Sequence, residues 1–344
     1  MTAAPRSVVF VSVVLRAAAL LGLAAPAAAQ VGSALVAVPW APERTLDSTS
    51  YVIGLGADTT DDAFGAGDDL TLVRAVSFGR YRLDADDPRS LSVGWLYDHT
   101  DLSTDDPRLP GRLTTTAVAL GAPLGRFDGW DTGFTAGAGF AGDLPFADDE
   151  AWFGVGSLFA RKQLGQTPTF ITWLIDFDGS RAFLPDVPLP AVQYTVRESD
   201  TLSYSIGLPF SSLSWQPSDH WSVEVKFLIP IGGSAQVSYQ ATDQWSAYVS
   251  LENTTRAYHL AGDRDNQRLF FEQSRFEVGT RYALTPELTL SAAGGYAFAQ
   301  EFSLGFDTRD LTTLREVDDA PYLRVGISAG VARRWSEGQS YRST

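Results

Sequence analysis

Residues 216–245 read Gln-Pro-Ser-Asp-His-Trp-Ser-Val-Glu-Val-Lys-Phe-Leu-Ile-Pro-Ile-Gly-Gly-Ser-Ala-Gln-Val-Ser-Tyr-Gln-Ala-Thr-Asp-Gln-Trp. From Trp221 the residues alternate. Trp221, Val223, Val225, Phe227 and Ile229 fall on one face, and Ser222, Glu224 and Lys226 on the other, with Leu228 alone breaking the polar set. Side chains of a strand point alternately to opposite faces, so this is a strand with one apolar and one wet side. Pro230 and the Gly232–Gly233 pair turn the chain. Ala235, Val237 and Tyr239 then return opposite Gln236, Ser238 and Gln240.

The turn itself recurs. Ser218-Asp219-His220-Trp221-Ser222 is echoed as Thr242-Asp243-Gln244-Trp245-Ser246, a spacing of 24 that fits one hairpin with its turns. Each turn has a Trp at its exit. A membrane-crossing β-strand needs about 9–11 residues and carries aromatic girdles where lipid meets water. The repeat therefore predicts an all-β, transmembrane up-and-down antiparallel barrel rather than a soluble barrel or sandwich. Trp130, Trp215, Trp221, Trp245 and Trp335 are its expected girdle.

Residues 1–29 have the anatomy of a cleaved signal peptide: Arg6, an apolar run over 8–23 interrupted by Arg16, and the small residues Ala27-Ala28-Ala29. Residues 30–48 read as an irregular lead-in, 49–335 as the barrel, and 336–344 as a tail. The expected location is the outer membrane of a Gram-negative cell. The chain has no Cys, which removes disulfides and thiolate chemistry. Beyond the leader no run of some 18 apolar residues occurs, so no transmembrane helix is expected. Asp and Glu number 41 against 26 Lys and Arg, a net charge of −15, which argues against nucleic acid as a partner.

Strands are expected at 51–56, 70–82, 91–97, 113–122, 130–141, 152–161, 170–177 and 202–215. They continue with the two strands about Ile231, then 245–256, 270–282, 288–300 and 322–335. Residues 178–200, rich in proline, are read as one long outer loop that includes the extended piece 192–197. This gives about 14 strands, with 12 to 16 as the range compatible with closure. Short turns near 86, 127, 166, 218, 243 and 286 then share one side. Most long, acid-rich loops share the other, an asymmetry typical of outer-membrane barrels. Gly133, Gly137 and Gly139 lie on one face, where bulk is excluded.

The polar faces carry Arg74, Arg80, Arg161, Asp176, Glu224, Lys226, Glu252, Arg275, Glu277, Arg281 and Arg324. An Arg or Lys facing midplane hydrocarbon costs about 2–4 kcal/mol, so these residues are assigned to the lumen. There they line a pore or pair off to plug it, and their mixed sign predicts weak ion selectivity.

The run Gly207-Leu208-Pro209, Leu213-Ser214-Trp215-Gln216-Pro217, Trp221, Phe227, Pro230, Val237-Ser238-Tyr239 and Trp245 resembles a family of uncharacterised bacterial outer-membrane β-barrel proteins, a domain of unknown function. The resemblance covers about 201–335. It implies location and architecture and brings no catalytic or ligand residues. Trp335 closes the last strand, yet residues follow it, unlike many barrels that end on an aromatic.

Three His residues occur. His220 sits in a turn, and His99 and His259 at the expected outer rim, where an Asp–His pair would be able to activate water. No motif joins them, so no catalytic residues, metal or cofactor are assigned. The acidic pairs at 61–62, 68–69, 105–106, 148–150 and 318–319 lack the spacing of a calcium loop and read as solvated loop surface. The expected function is a passive, porin-like channel for small solutes. The alternatives are a closed structural barrel with a salt-bridged lumen and a rim-active hydrolase. Expected partners are outer-membrane lipids and lipopolysaccharide, the barrel-assembly machinery, and small solutes.

Overall fold

A computed structural model describes residues 27–28, 44–60, 68–84, 87, 90–228, 232–262 and 267–332. The expected leader lies outside them except for residues 27–28, as do Trp335 and the tail. The strands are β1 (Arg44–Thr60), β2 (Asp68–Arg82), β3 (Ser92–Ser103), β4 (Arg112–Phe127), β5 (Trp130–Gly142), β6 (Trp152–Gln163), β7 (Thr169–Asp178) and β8 (Leu189–Arg197). They continue as β9 (Leu202–Leu208), β10 (Phe210–Ser218), β11 (Trp221–Leu228), β12 (Gly232–Gln240), β13 (Trp245–His259), β14 (Arg268–Thr285) and β15 (Leu288–Gly305). The last, β16, has two pieces, Thr312–Val317 and Ala320–Ala332, interrupted at Asp318 and Asp319 and both paired to β15. Each strand pairs antiparallel with its sequence neighbour, and β16 pairs with β1 to close the barrel.

The barrel has 16 strands, not about 14. Two departures make the difference. Residues 192–197 are not loop: they belong to β8, bonded to β7 on one side and β9 on the other. Val192, Tyr194 and Val196 do alternate with Gln193 and Thr195, but prolines 185, 188 and 190 obscure the signal. Residues 202–215 are not one strand either. Pro209 has no N–H for a ladder, and Ser211 Oγ bonds both the N–H and the C=O of Gly207 at 3.1 Å, closing a hairpin there. Each departure reverses the chain once, so together they leave every later turn on the side expected. β1 likewise begins at Arg44, inside the expected lead-in.

The outward faces are apolar. Leu323, Val325 and Ile327 alternate outward on β16, with Leu323 72 % exposed, and Phe276 and Val278 do so on β14. A continuous belt of this kind is far larger than a soluble surface carries and requires hydrocarbon. β8 to β12 are 7 to 9 residues long, at or just under the about 9–11 that a crossing strand takes. β14 and β15 have 18 each. At ~3.3 Å per residue they run ~60 Å, well beyond the ~35 Å that a strand tilted by about 45° takes to cross the ~25 Å apolar band.

That excess folds inward. Residues 254–258 of β13 and 268–271 of β14 are buried on both faces. At the tip of β13, His259 pairs with Gly142 at the end of β5, eight strand positions away. The Asp143 N–H reaches the His259 carbonyl at 3.3 Å, and the Ala261 N–H reaches the Asp143 carboxylate at 2.9 Å. On one face of this partition Tyr258, Leu269 and Phe271 pack with Ile53, Leu55, Leu72, Leu113 and Phe302. On the other, Ala257 and Phe270 pack with Ala182 and Leu228, and with Phe183 of the β7–β8 loop. Leu228, which broke the polar set of its strand, is thus part of the cap. The expectation that apolar faces look to hydrocarbon fails here: Ile53, 1 % exposed, and Leu55 point inward, because the loop-side end of the interior is itself an apolar core.

Candidate functional site

The barrel interior divides by depth. Towards the short turns it is wet: Glu224 and Lys226 on β11 point inward, bonded to each other at 3.3 Å, with side chains 52 % and 68 % exposed. Arg80 meets Asp47 at 3.7 Å. Arg161 lies over the Phe170 ring at 3.8 Å.

Next to the apolar cap the interior is a layer of paired charges, formed by β13, β14, β16, β2 and β3. Asp98 accepts from Arg74 Nε at 2.7 Å and Nη2 at 2.6 Å, with Arg256 at 3.9 Å. Arg275 donates to Glu252 at 2.6 Å. Arg324 donates to Glu277 at 2.8 and 2.6 Å, and also to the Tyr248 hydroxyl. Tyr248 and Tyr322 donate to the two oxygens of Glu277 at 2.7 and 3.1 Å. Arg281 reaches Gln236 at 2.7 Å and lies 4.2 Å over the Tyr248 ring. Arg74, Asp98, Arg256 and Arg275 are each no more than 5 % exposed. Five guanidinium groups here (Arg74, Arg256, Arg275, Arg281, Arg324) face three carboxylates (Asp98, Glu252, Glu277).

Two glycines make the Glu277 cluster possible. A Cβ on Gly279 would lie 2.4 Å from the Tyr248 ring, and one on Gly295 would lie 2.5 Å from the Tyr322 ring. Each Tyr lies across the neighbouring strand's glycine, and both hydroxyls converge on the carboxylate between them. Gly133 and Gly139 do the same for Phe159 and Phe153.

Of the residues assigned to the lumen, Arg74, Glu252, Arg275, Glu277, Arg281 and Arg324 come together in this layer. Arg80, Arg161, Glu224 and Lys226 line the wet half. Asp176 stands apart, against the β7–β8 loop, bonded to Arg181 at 2.6 Å. Sequence reading passed over Asp98 and Arg256. Asp98 lay in an expected loop, although it continues the alternation of β3, and Arg256 closed an expected strand. It also passed over Tyr248 and Tyr322, whose place on a polar face was the available signal.

Trp130, Trp215, Trp221 and Trp245 all lie at the short-turn ends of their strands. Tyr239 packs on Trp221 at 4.9 Å, and Tyr282 pairs in register with Trp245. Trp152, Trp173, Tyr97 and Tyr296 are exposed nearer the loop end and were not singled out from the sequence.

His99 points outward, with Nδ1 2.8 Å from Thr114 Oγ1 and Nε2 3.2 Å from Asp101. Thr114 is 4 % exposed, too covered to meet a substrate. Among the described residues no cluster of His, Asp or Glu could hold a metal ion. Two loop acids are buried, one of them, Asp106, against the expectation of a solvated surface. Asp106 is buried between Arg108 at 3.0 Å and Arg315 at 2.5 Å, and Asp307 is buried against Arg309. Burial pushes the Asp106 carboxyl up, and hydrogen bonds from the Arg108 side chain and backbone and from Arg315 outweigh it, holding it well below the usual range. Hydrogen bonds from Arg309 hold Asp307 low too.

Residues 197–336 match a domain of unknown function (DUF6268). That segment holds β9 to β16, and with them Arg256, Glu277 and Arg324 of the charged layer. No curated protein matches the chain. Among solved structures, the TodX monoaromatic hydrocarbon channel deltaS2 mutant is 12 % identical, with 89 % of this chain and 96 % of that one covered, at a TM-score of 0.39. An outer membrane channel from Pseudomonas putida F1 is 13 % identical, covering 83 % and 95 %, at 0.35. The toluene transporter TodX of P. putida is 10 % identical, covering 91 % and 96 %, at 0.34. These likenesses are too low for a ligand or a mechanism to follow from them.

Proposed function

We propose that this chain is an outer-membrane channel for small solutes, closed near its loop end in the state described. The observation that supports this is the contrast in depth: a wet, charged interior behind a charged layer and an apolar cap. A barrel with a purely structural role has no need of a solvated half. The apolar belt, the aromatic ends and the turn asymmetry support the outer membrane as its place. Lipopolysaccharide and the barrel-assembly machinery are the partners such a place implies.

Planar-bilayer conductance tests the reading. The intact protein should give rare or small steps. A variant in which a short turn replaces residues 254–273 should give steps at least about tenfold larger, because the partition across the lumen is gone. If the deletion variant is folded and silent, the second reading stands: a closed structural barrel held by its salt bridges, which the buried charged layer favours.

We read the chain as non-enzymatic. Among the described residues, the Thr114–His99–Asp101 chain is the arrangement that favours a hydrolase. Loss of a hydrolytic activity in His99→Ala or His259→Ala would overturn this reading.

A further inference from the structure

The wall is incomplete where the β9–β10 hairpin ends. The register of β9 with β8 stops at Leu208 opposite Val192. Leu189, Pro190 and Ala191 of β8 continue past the tip, paired with β7 alone among the described strands. A cavity of about 170 Å³ occupies the gap. Its lining comes from both faces of the wall. Ala191, Phe210 and Leu228 have the inward parity of their strands, whereas Pro190 and Leu208, the latter 63 % exposed, have the outward. A cavity lined from both faces crosses the wall, and its outer mouth opens on the apolar belt.

Depth and chemistry say what fills it. Leu202 of β9 pairs with Trp215, at the level of the short-turn aromatics, and Leu208 lies six residues further along the strand. At ~3.3 Å per residue and a tilt of about 45°, the tip stands ~14 Å into the ~25 Å apolar band. The mouth therefore opens near the middle of the membrane, the depth that the ends of acyl chains reach. Unpaired backbone donors are costly in hydrocarbon, yet both margins of the gap carry a proline, Pro190 and Pro209, with no N–H to leave unpaired. The charged residues that line the cavity, Asp176 and Arg181, are bonded to each other at 2.6 Å. An apolar cavity of ~150 Å³ takes a molecule the size of benzene, so this one has room for the last few carbons of a hydrocarbon chain.

We infer that the notch seats the end of a membrane lipid's acyl chain, which completes the wall between Pro190 and the hairpin tip. The site does not depend on whether the lumen conducts, so it can stand if the channel reading fails.

The test is photo-crosslinking of the intact barrel in phosphatidylcholine vesicles that include a phosphatidylcholine with a diazirine at the end of one acyl chain. Adducts are mapped by mass spectrometry. Ile206 and Leu208, 64 % and 63 % exposed, should be labelled in any case and serve as the internal control. Ala191 and Phe210 should be labelled too, although their parity is inward. Ala191→Phe, which fills the cavity, should lower the Phe210 adducts several-fold and leave those at Leu208 unchanged. Leu228→Trp fills it from the opposite wall and should lower the adducts at both Ala191 and Phe210 if Ala191→Phe does not fold, folding being checked by heat-modifiable mobility. Adducts confined to outward residues, or inward adducts undiminished in a folded cavity-filled variant, would overturn the proposal. So would labelling of Ala191 by free phenyldiazirine and not by the lipid, which would make the occupant a small apolar solute.

Discussion

Glu277 shows what one carboxylate holds in place. It takes hydrogen bonds from Tyr248 of β13 and from Tyr322 and Arg324 of β16, so that with its own β14 it ties three strands together. Removing one partner of a buried pair costs more than the pair contributes, because the other charge is left uncompensated. Glu277→Ala should therefore destabilise the barrel by about 3–5 kcal/mol in urea unfolding from lipid. Gly279→Ala should cost about 1–3 kcal/mol by forcing the Tyr248 ring aside. Gly54→Ala is the control, since its added Cβ would meet nothing within 4 Å, and it should be neutral. At this scale the sequence was legible in parity and silent in partnership. Alternation placed Arg275, Glu277 and Arg324 on inward faces. Nothing local said that Glu277 meets Arg324, 47 residues on, or that Asp98 meets Arg74 and Arg256, because those pairings depend on register around the closed barrel.

At the scale of elements, the loops tie themselves down with arginine–aspartate pairs. Asp106 and Asp307 titrate below the ordinary carboxylate value, so the folded state binds fewer protons than the unfolded chain. The stabilisation is fully present above about pH 4 and is lost as pH falls through the depressed folded values. Limited proteolysis in acid should thus cut at 104–111 and 306–311 while the strands stay protected. Asp106→Asn should bring that cleavage on at neutral pH. The elements themselves were readable wherever one face was wet and the other apolar: β11 and β16 stood out on alternation alone. β8 and the β9–β10 break were lost for opposite reasons. Prolines disguised a true strand, and an alternation that runs from Leu202 through Phe210, slipping in parity only at Ser211–Ser212, disguised a hairpin whose turn is set by Pro209 and by Ser211 bonding the Gly207 backbone.

For the whole molecule, the charged layer has an excess of guanidinium groups over carboxylates. Once the partition is removed, the pore should prefer small anions modestly over cations, read as a reversal potential across a salt gradient. A reversal potential of cationic sign would show that the acidic loops, not the layer, govern permeation. The closed barrel and its orientation were legible because hydrocarbon imposes a uniform rule along every strand. The cap was not, because the rule lapses where β13 to β15 outrun the membrane. Beyond that level a continuous alternation no longer says which side is interior.

The contact between His259 and Gly142 joins two strands half a circumference apart, and so it bears on how the molecule is built. The ends that meet there are buried on both faces when joined and have nothing to cover them beforehand. They cannot meet until the wall has come round on itself, so the seam between β16 and β1 must form first. Nascent chains would then pass through a stage with a finished cylinder and an unseated lid. Pulse-labelled hydrogen exchange should find the amides of 254–258 acquiring protection last, after those of 322–330.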